Sequence, residues 1–138
     1  MLVPKQVPLE PECNPNVLRE IHAAACEAAA AFVMARGTGF QQKLDDWLFA
    51  NQATLSRDVV RRAAKDIAGI ADFDARYQRA LQEVRTDAGL GGVMQVQSTP
   101  TIYLNARMIA GRGQVLPGAQ IVDALVDIAL KKKGSSDP

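Results

Sequence analysis

The spacing of apolar and polar positions divides the chain into an extended start, four helical stretches, a hairpin and a last helix. Leu2, Val3, Val7 and Leu9 are punctuated by Pro4 and Pro8. This predicts an edge strand or extended arm, because proline is tolerated mainly at sheet edges and strand ends. A polar loop rich in Pro, Glu and Asn follows from Glu10 to Asn16. From His22 to Arg36 the chain is alanine-rich, with the highest helix propensity of any segment, and Gly37 and Gly39 close it. Phe40, Leu44, Trp47 and Leu48 recur at helical spacing and predict a helix from Phe40 to Asn51, with Phe40, Trp47 and Phe49 in the core.

Ser56 is expected to cap a third helix that carries Val59, Val60, Ala63, Ala64 and Ile67 and stops near Gly69. Asp72 opens a fourth, with Phe73, Tyr77, Ala80, Leu81 and Val84 on one face, which runs into the cluster Gly89, Gly91 and Gly92. The period then changes. Thr101 to Leu104 is a β-prone run, Asn105-Ala106 reads as a tight turn, and Arg107 to Ala110 returns as a second strand. Gly111, Gly113 and Pro117 predict a loop, followed by an amphipathic helix over Ala119–Lys132 with Ile121, Leu125, Ile128 and Ala129 inward. Lys131, Lys132 and Lys133 sit in its last turn, where cations suit the helix dipole. Helices combined with a few strands give an α/β fold.

The length of 138 residues suits one domain, expected over 1–133, with 134–138 a disordered tail. Sixteen basic against fifteen acidic residues leave a net charge of +1, so nothing provides the basic field that nucleic-acid binding draws on. Met1 to Pro8 holds no apolar run that could serve as a signal-peptide core, and no segment reaches the roughly eighteen apolar residues of a membrane span. As written the chain reads as cytoplasmic; an internal start in a longer protein would make it periplasmic or membrane-tethered.

Ser98-Thr99-Pro100-Thr101, followed by Ile102 to Leu104, Asn105 and Arg107, resembles the cis-proline loop and hairpin of thioredoxin-like proteins, the DsbA-like branch in particular. Pro8-Leu9, His22 with Ala24 and Ala28 to Ala31, Trp47 to Gln52, and Phe73 follow in the order of that branch, whose thioredoxin core carries a helical insertion. Cys13 and Cys26, in their contexts, look most like the thioredoxin-like domain fused to bacterial vitamin K epoxide reductase homologues. The resemblance runs from about Val7 to Leu130. It implies thiol–disulfide exchange with protein or peptide thiols and disulfides, without a cofactor, and peptide binding at Thr99 and Pro100 by β-augmentation.

The family's Cys-x-x-Cys, whose thiolate is stabilised at a helix N-terminus, is missing from this sequence. By the same resemblance the first βα unit of the core is missing, which leaves a slot in the sheet: either the chain re-pairs its strands, a partner or a second copy completes the sheet, or Met1 is an internal start of a longer protein. Ala106 stands where relatives usually carry Gly, at a turn position that can require positive φ.

A disulfide needs Cα atoms about 4.4–6.8 Å apart. A helix starting at Pro15 would lift Cys26 roughly 16 Å along its axis and forbid the bond. A loop over 14–21 with a helix starting near His22 permits it. Three readings stay open: a structural disulfide, two inert thiols, or a redox pair in which His22 and a helix N-terminus activate Cys26. His22 otherwise reads as a helix-cap residue. A metal site of Cys13, His22 and Cys26 lacks a fourth ligand and is set aside. The expected function is a DsbA-like thiol–disulfide oxidoreductase-family domain that is inactive alone; the alternative is a non-catalytic thioredoxin-like binding or scaffolding module.

Overall fold

The computed structural model describes residues 3–110 and, farther on, 123, 124, 126–128, 130 and 131. The chain divides into two compact units, Met1–Met94 and Gln95–Pro138. The first contains four helices: α1 (Ala25–Met34), α2 (Gln41–Ala50), α3 (Arg57–Ala68) and α4 (Phe73–Val93), with a short 3₁₀ turn over Gln52–Thr54. Among the described residues, no helix is long and apolar enough to cross a membrane.

Alanine dominates α1, and the small side chains of Ala29, Ala30 and Ala31, all buried, let the helix pack closely on α4 and α3. Val60, Ala63 and Ala64 from α3 and Phe73, Tyr77, Ala80, Leu81 and Val84 from α4 complete the core. The Ser56 hydroxyl accepts the Val59 N–H at 3.3 Å, and Gly69 ends α3 at φ 68°, where a side chain would be strained.

Four expectations are decided or corrected in this unit. Of the two readings of the start, residues 3–8 form the extended arm and no strand: the Gln6 N–H donates to the Asp87 carboxylate of α4 at 3.2 Å in place of a neighbouring strand, and the Lys5 ammonium pairs with the same carboxylate at 2.8 Å. The first helix begins at Ala25, three residues after His22, with Ala24 at its N-cap in the left-handed region (φ 66°). α4 runs through its glycines to Val93. A methyl at Gly92 would lie 2.8 Å from the Asn16 side-chain amide, so this glycine makes room for the preceding loop. Finally, Phe40 and Phe49 are exposed and Trp47 is only half-buried: Leu44 and Leu48 set the inward face of α2, Phe49 lies about 100° round from Leu48, and Phe40 is the N-cap residue, outside the helical backbone that holds that face inward.

In the second unit β1 (Ile102–Leu104) and β2 (Arg107–Ala110) form an antiparallel pair with an irregularity between Ile102 and Tyr103. Asn105 and Ala106 adopt φ of 49° and 62°, as a two-residue hairpin turn of the primed type requires. The Thr99-Pro100 peptide is cis. Together the units make a mixed helical protein with a small two-stranded sheet among the described residues, in broad terms α/β. The expected loop over 111–117 and the tail 134–138 lie outside the described residues, as does much of the last helix, of which residues 123, 124, 126–128, 130 and 131 are helical.

Candidate functional site

Cys13 and Cys26 are joined by a disulfide with Cα atoms 5.8 Å apart, and both are fully buried. The bond closes because residues 14–21 form turns and bends rather than helix, which leaves Cys26 in the first turn of α1. The two sulfurs lie 3.9 and 3.8 Å from the Glu10 carbonyl; as members of a disulfide they carry no proton to donate.

Around this bond the arm, residues 3–24, is tied to the helices by polar groups. Ala24 offers no capping side chain, so Glu10 supplies the cap from a distance: its Oε2 accepts the Cys26 N–H at 2.8 Å. Its Oε1 accepts from Arg57 Nη2 at 3.1 Å, and the same nitrogen donates to Glu12 Oε2 at 2.9 Å. Arg57 Nε stands 3.4 Å from Glu27 Oε1. On α4, the Tyr77 hydroxyl donates to Glu12 Oε1 at 3.3 Å, and the Arg85 guanidinium donates to the Glu12 carbonyl at 3.2 and 3.3 Å. Arg61 pairs with Asp74 at 2.7 Å and lies over the stacked rings of Phe73 and Tyr77, 5.5 and 5.6 Å from their centroids.

These charges shape the titration of their neighbours. Burial raises the Glu27 carboxyl above the usual range; Arg57 opposes that shift, while Glu10 and Glu12 add to it. Burial, reinforced by Glu27 and Glu12, also pushes the Tyr77 phenol up. Arg57 is held more firmly protonated, chiefly by Glu27.

The redox-pair reading of the cysteines meets the wrong environment here. A Cys26 thiol released by reduction would be buried beside Glu10, with Glu27 next in sequence, and both influences oppose a thiolate. The helix N-terminus that lowers a thiol's pKa is already engaged by the Glu10 carboxylate. His22 is exposed and, among the described residues, makes no hydrogen bond to either cysteine; its carbonyl accepts the Ala25 N–H, but its side chain caps nothing. Glu10, Glu12 and Cys26 have ligand atoms within 4.8 Å of one another, yet the sulfur is spent in the disulfide and both Glu10 oxygens already accept hydrogen bonds. This is not a metal centre.

Thr99 and Pro100 are exposed and belong to the second unit, in the loop that enters β1, where the Thr101 hydroxyl donates to the Ser98 carbonyl. Reasoning from sequence missed Glu10, Glu12, Glu27, Arg57 and Tyr77 as a group. One signal was present: Glu27 is the lone charged residue between Ala23 and Ala35, in a helix apolar enough to be buried all round. A charge in that position requires a partner. Compared with known proteins, the chain matches no family model, no curated protein and no solved structure.

Proposed function

We propose that the chain is a thioredoxin-like, DsbA-related domain of the thiol–disulfide exchange family that binds extended peptides at Thr99-Pro100 and does not turn over alone. The observation that carries this reading is the order of elements: a helical unit followed by an antiparallel hairpin, with an exposed Thr-Pro loop at the entrance to β1. A backbone segment presented just before a strand suits a peptide that adds main-chain hydrogen bonds. The chain's two cysteines are joined and buried, which supports a structural bond in place of a catalytic one. That burial also favours a second reading, a non-catalytic thioredoxin-like binding or scaffolding module.

Insulin reduction is the direct test of turnover, and the expected result is none. Turnover that disappears in Cys26→Ser would overturn the proposal and restore the redox pair. For binding, a cysteine-free extended peptide titrated into isotope-labelled protein is expected to shift the amides of Thr99, Thr101 and Ile102. Shifts confined to the helical unit would place recognition elsewhere. A Cys-x-x-Cys encoded in frame upstream of Met1 favours the oxidoreductase reading; a defined dimer by sedimentation that completes the sheet favours the scaffold.

A further inference from the structure

The function proposed above leaves the charged cluster unused, and Glu27 is its most deeply buried member. It is fully buried, and neither carboxyl oxygen has a hydrogen-bond partner. From α3 it faces Arg57 Nε at 3.4 Å and Arg61 Nη2 at 3.6 Å. From the arm come Glu10 and Glu12, which hold the same Arg57. From α4 come Tyr77, bonded to Glu12, Asp74, which takes the other end of Arg61, and Arg85 on the Glu12 carbonyl. Arg57 therefore serves three carboxylates, and one of them, Glu10, is also the cap of α1.

We propose that Glu27 is a proton-operated latch for the arm: when its carboxyl takes a proton from solvent, Arg57 is left to Glu10 and Glu12, and the arm closes more firmly on the N-terminus of α1. Charged Glu27 repels both arm carboxylates and competes for their cation, and it carries its own desolvation cost without a hydrogen bond. Protonation removes the repulsion and the competition, reduces the desolvation cost to that of a neutral carboxyl, and sacrifices two ion pairs of imperfect geometry.

The sign of the effect follows from burial, which holds this carboxyl above its ordinary value of 4.5. Between that value and the folded-state value the folded protein binds more protons than the unfolded chain. Stability therefore rises as pH falls through the folded-state value, and the gain levels off near 4.5.

Two measurements test the latch on the full chain. Carbon-13 NMR of the Glu27 carboxyl is expected to show a midpoint above 4.5. The protection factor of the Cys26 amide, which donates to Glu10, should rise about threefold to tenfold as the pH is lowered through that midpoint. In Glu27→Gln, neutral at every pH, that protection should already be high at neutral pH and flat below it. A Glu27 midpoint at or below 4.5 would overturn the proposal. So would a Cys26 protection factor that stays constant or falls while Glu27 titrates; this readout needs only the wild-type chain, so it decides even where the variant does not fold.

Discussion

The arm and the hairpin differ in a way that separates regular structure from burial. Residues 3–24 form no helix or strand, yet Glu10, Cys13, Asn14 and Ala24 within them are at most 2% exposed. The hairpin of β1 and β2 is a regular antiparallel pair, and none of Ile102 to Ile109 is buried. Backbone groups of the arm find partners singly, in turns or through side chains: the Asn14 N–H donates to the Glu10 carbonyl at 3.1 Å, the Ile21 N–H to the Leu9 carbonyl at 3.2 Å, and Asn14 Nδ2 to the Pro8 carbonyl at 2.8 Å, while Asn16 Nδ2 ties the arm to the Ala88 carbonyl of α4 at 3.1 Å. The hairpin meets its backbone needs with its own ladder. An irregular segment can therefore be the better-anchored one, provided its contacts are distant in sequence and its polar groups are individually satisfied.

The largest effect is expected where the arm is tied covalently. Replacing Cys13 and Cys26 together with alanine removes a cross-link spanning 13 positions, and urea unfolding should show a loss of about 3 kcal/mol. Alanine is the right substitute because serine hydroxyls at two fully buried positions would add an unsatisfied polar group each. Hydrogen exchange should rise across residues 3–24 more than within α3. If the pair costs nothing, the polar contacts of the arm suffice and the disulfide is not its main anchor.

A smaller effect separates two glycines on α4. A methyl at Gly89 meets nothing within 4 Å, so Gly89→Ala should stabilise by about 0.5–1 kcal/mol through helix propensity. At Gly92 the same methyl would displace the Asn16 amide from Ala88, and the lost hydrogen bond should outweigh the propensity gain by about 1 kcal/mol. In the double variant with Asn16→Ala the two losses should not add, because the first substitution has already removed what the second strikes. Additive losses in chemical denaturation would show that the arm does not press on α4 at this point.

How much of this was legible in the sequence follows the same division. Helical spacing located all four helices of the first unit, the Ser56 cap and the Gly69 stop, and turn chemistry located the hairpin, since these signals lie within a few residues of the structure they specify. The arm was read as an edge strand or extended arm, and the sequence left the two open, because the partners that decide it, Asp87 and Arg57, lie on helices far along the chain. Gly92 was read only as part of the glycine cluster that the fourth helix runs into; its role depends on Asn16, which sequence spacing does not reveal. In the site, the cysteine geometry was legible because a helix starting too early forbids the bond. The carboxylates around Arg57 were not, since nothing local links Glu10, Glu12 and Glu27 to one cation.

The finest comparison uses one conformation found in both regions. Ala24 at the end of the arm and Ala106 in the hairpin turn both have left-handed φ, 66° and 62°. That region costs an ordinary residue about 1–2 kcal/mol and glycine almost nothing, although glycine gives back about 0.4–1 kcal/mol through the freedom of the unfolded chain. At Ala106, which is exposed, glycine should therefore gain about 0.5–1 kcal/mol and match the Asn-Gly preference of this turn. At Ala24, 1% exposed, the substitution also removes a packed methyl worth about 0.8 kcal/mol, so the net change should be close to zero. Amide temperature coefficients in β1 and β2 report the first variant, and thermal unfolding of the helical unit reports the second. Equal gains at both positions would mean that the Ala24 methyl contributes nothing to the core, and the contrast between a buried irregular arm and an exposed regular hairpin would weaken at its join with α1.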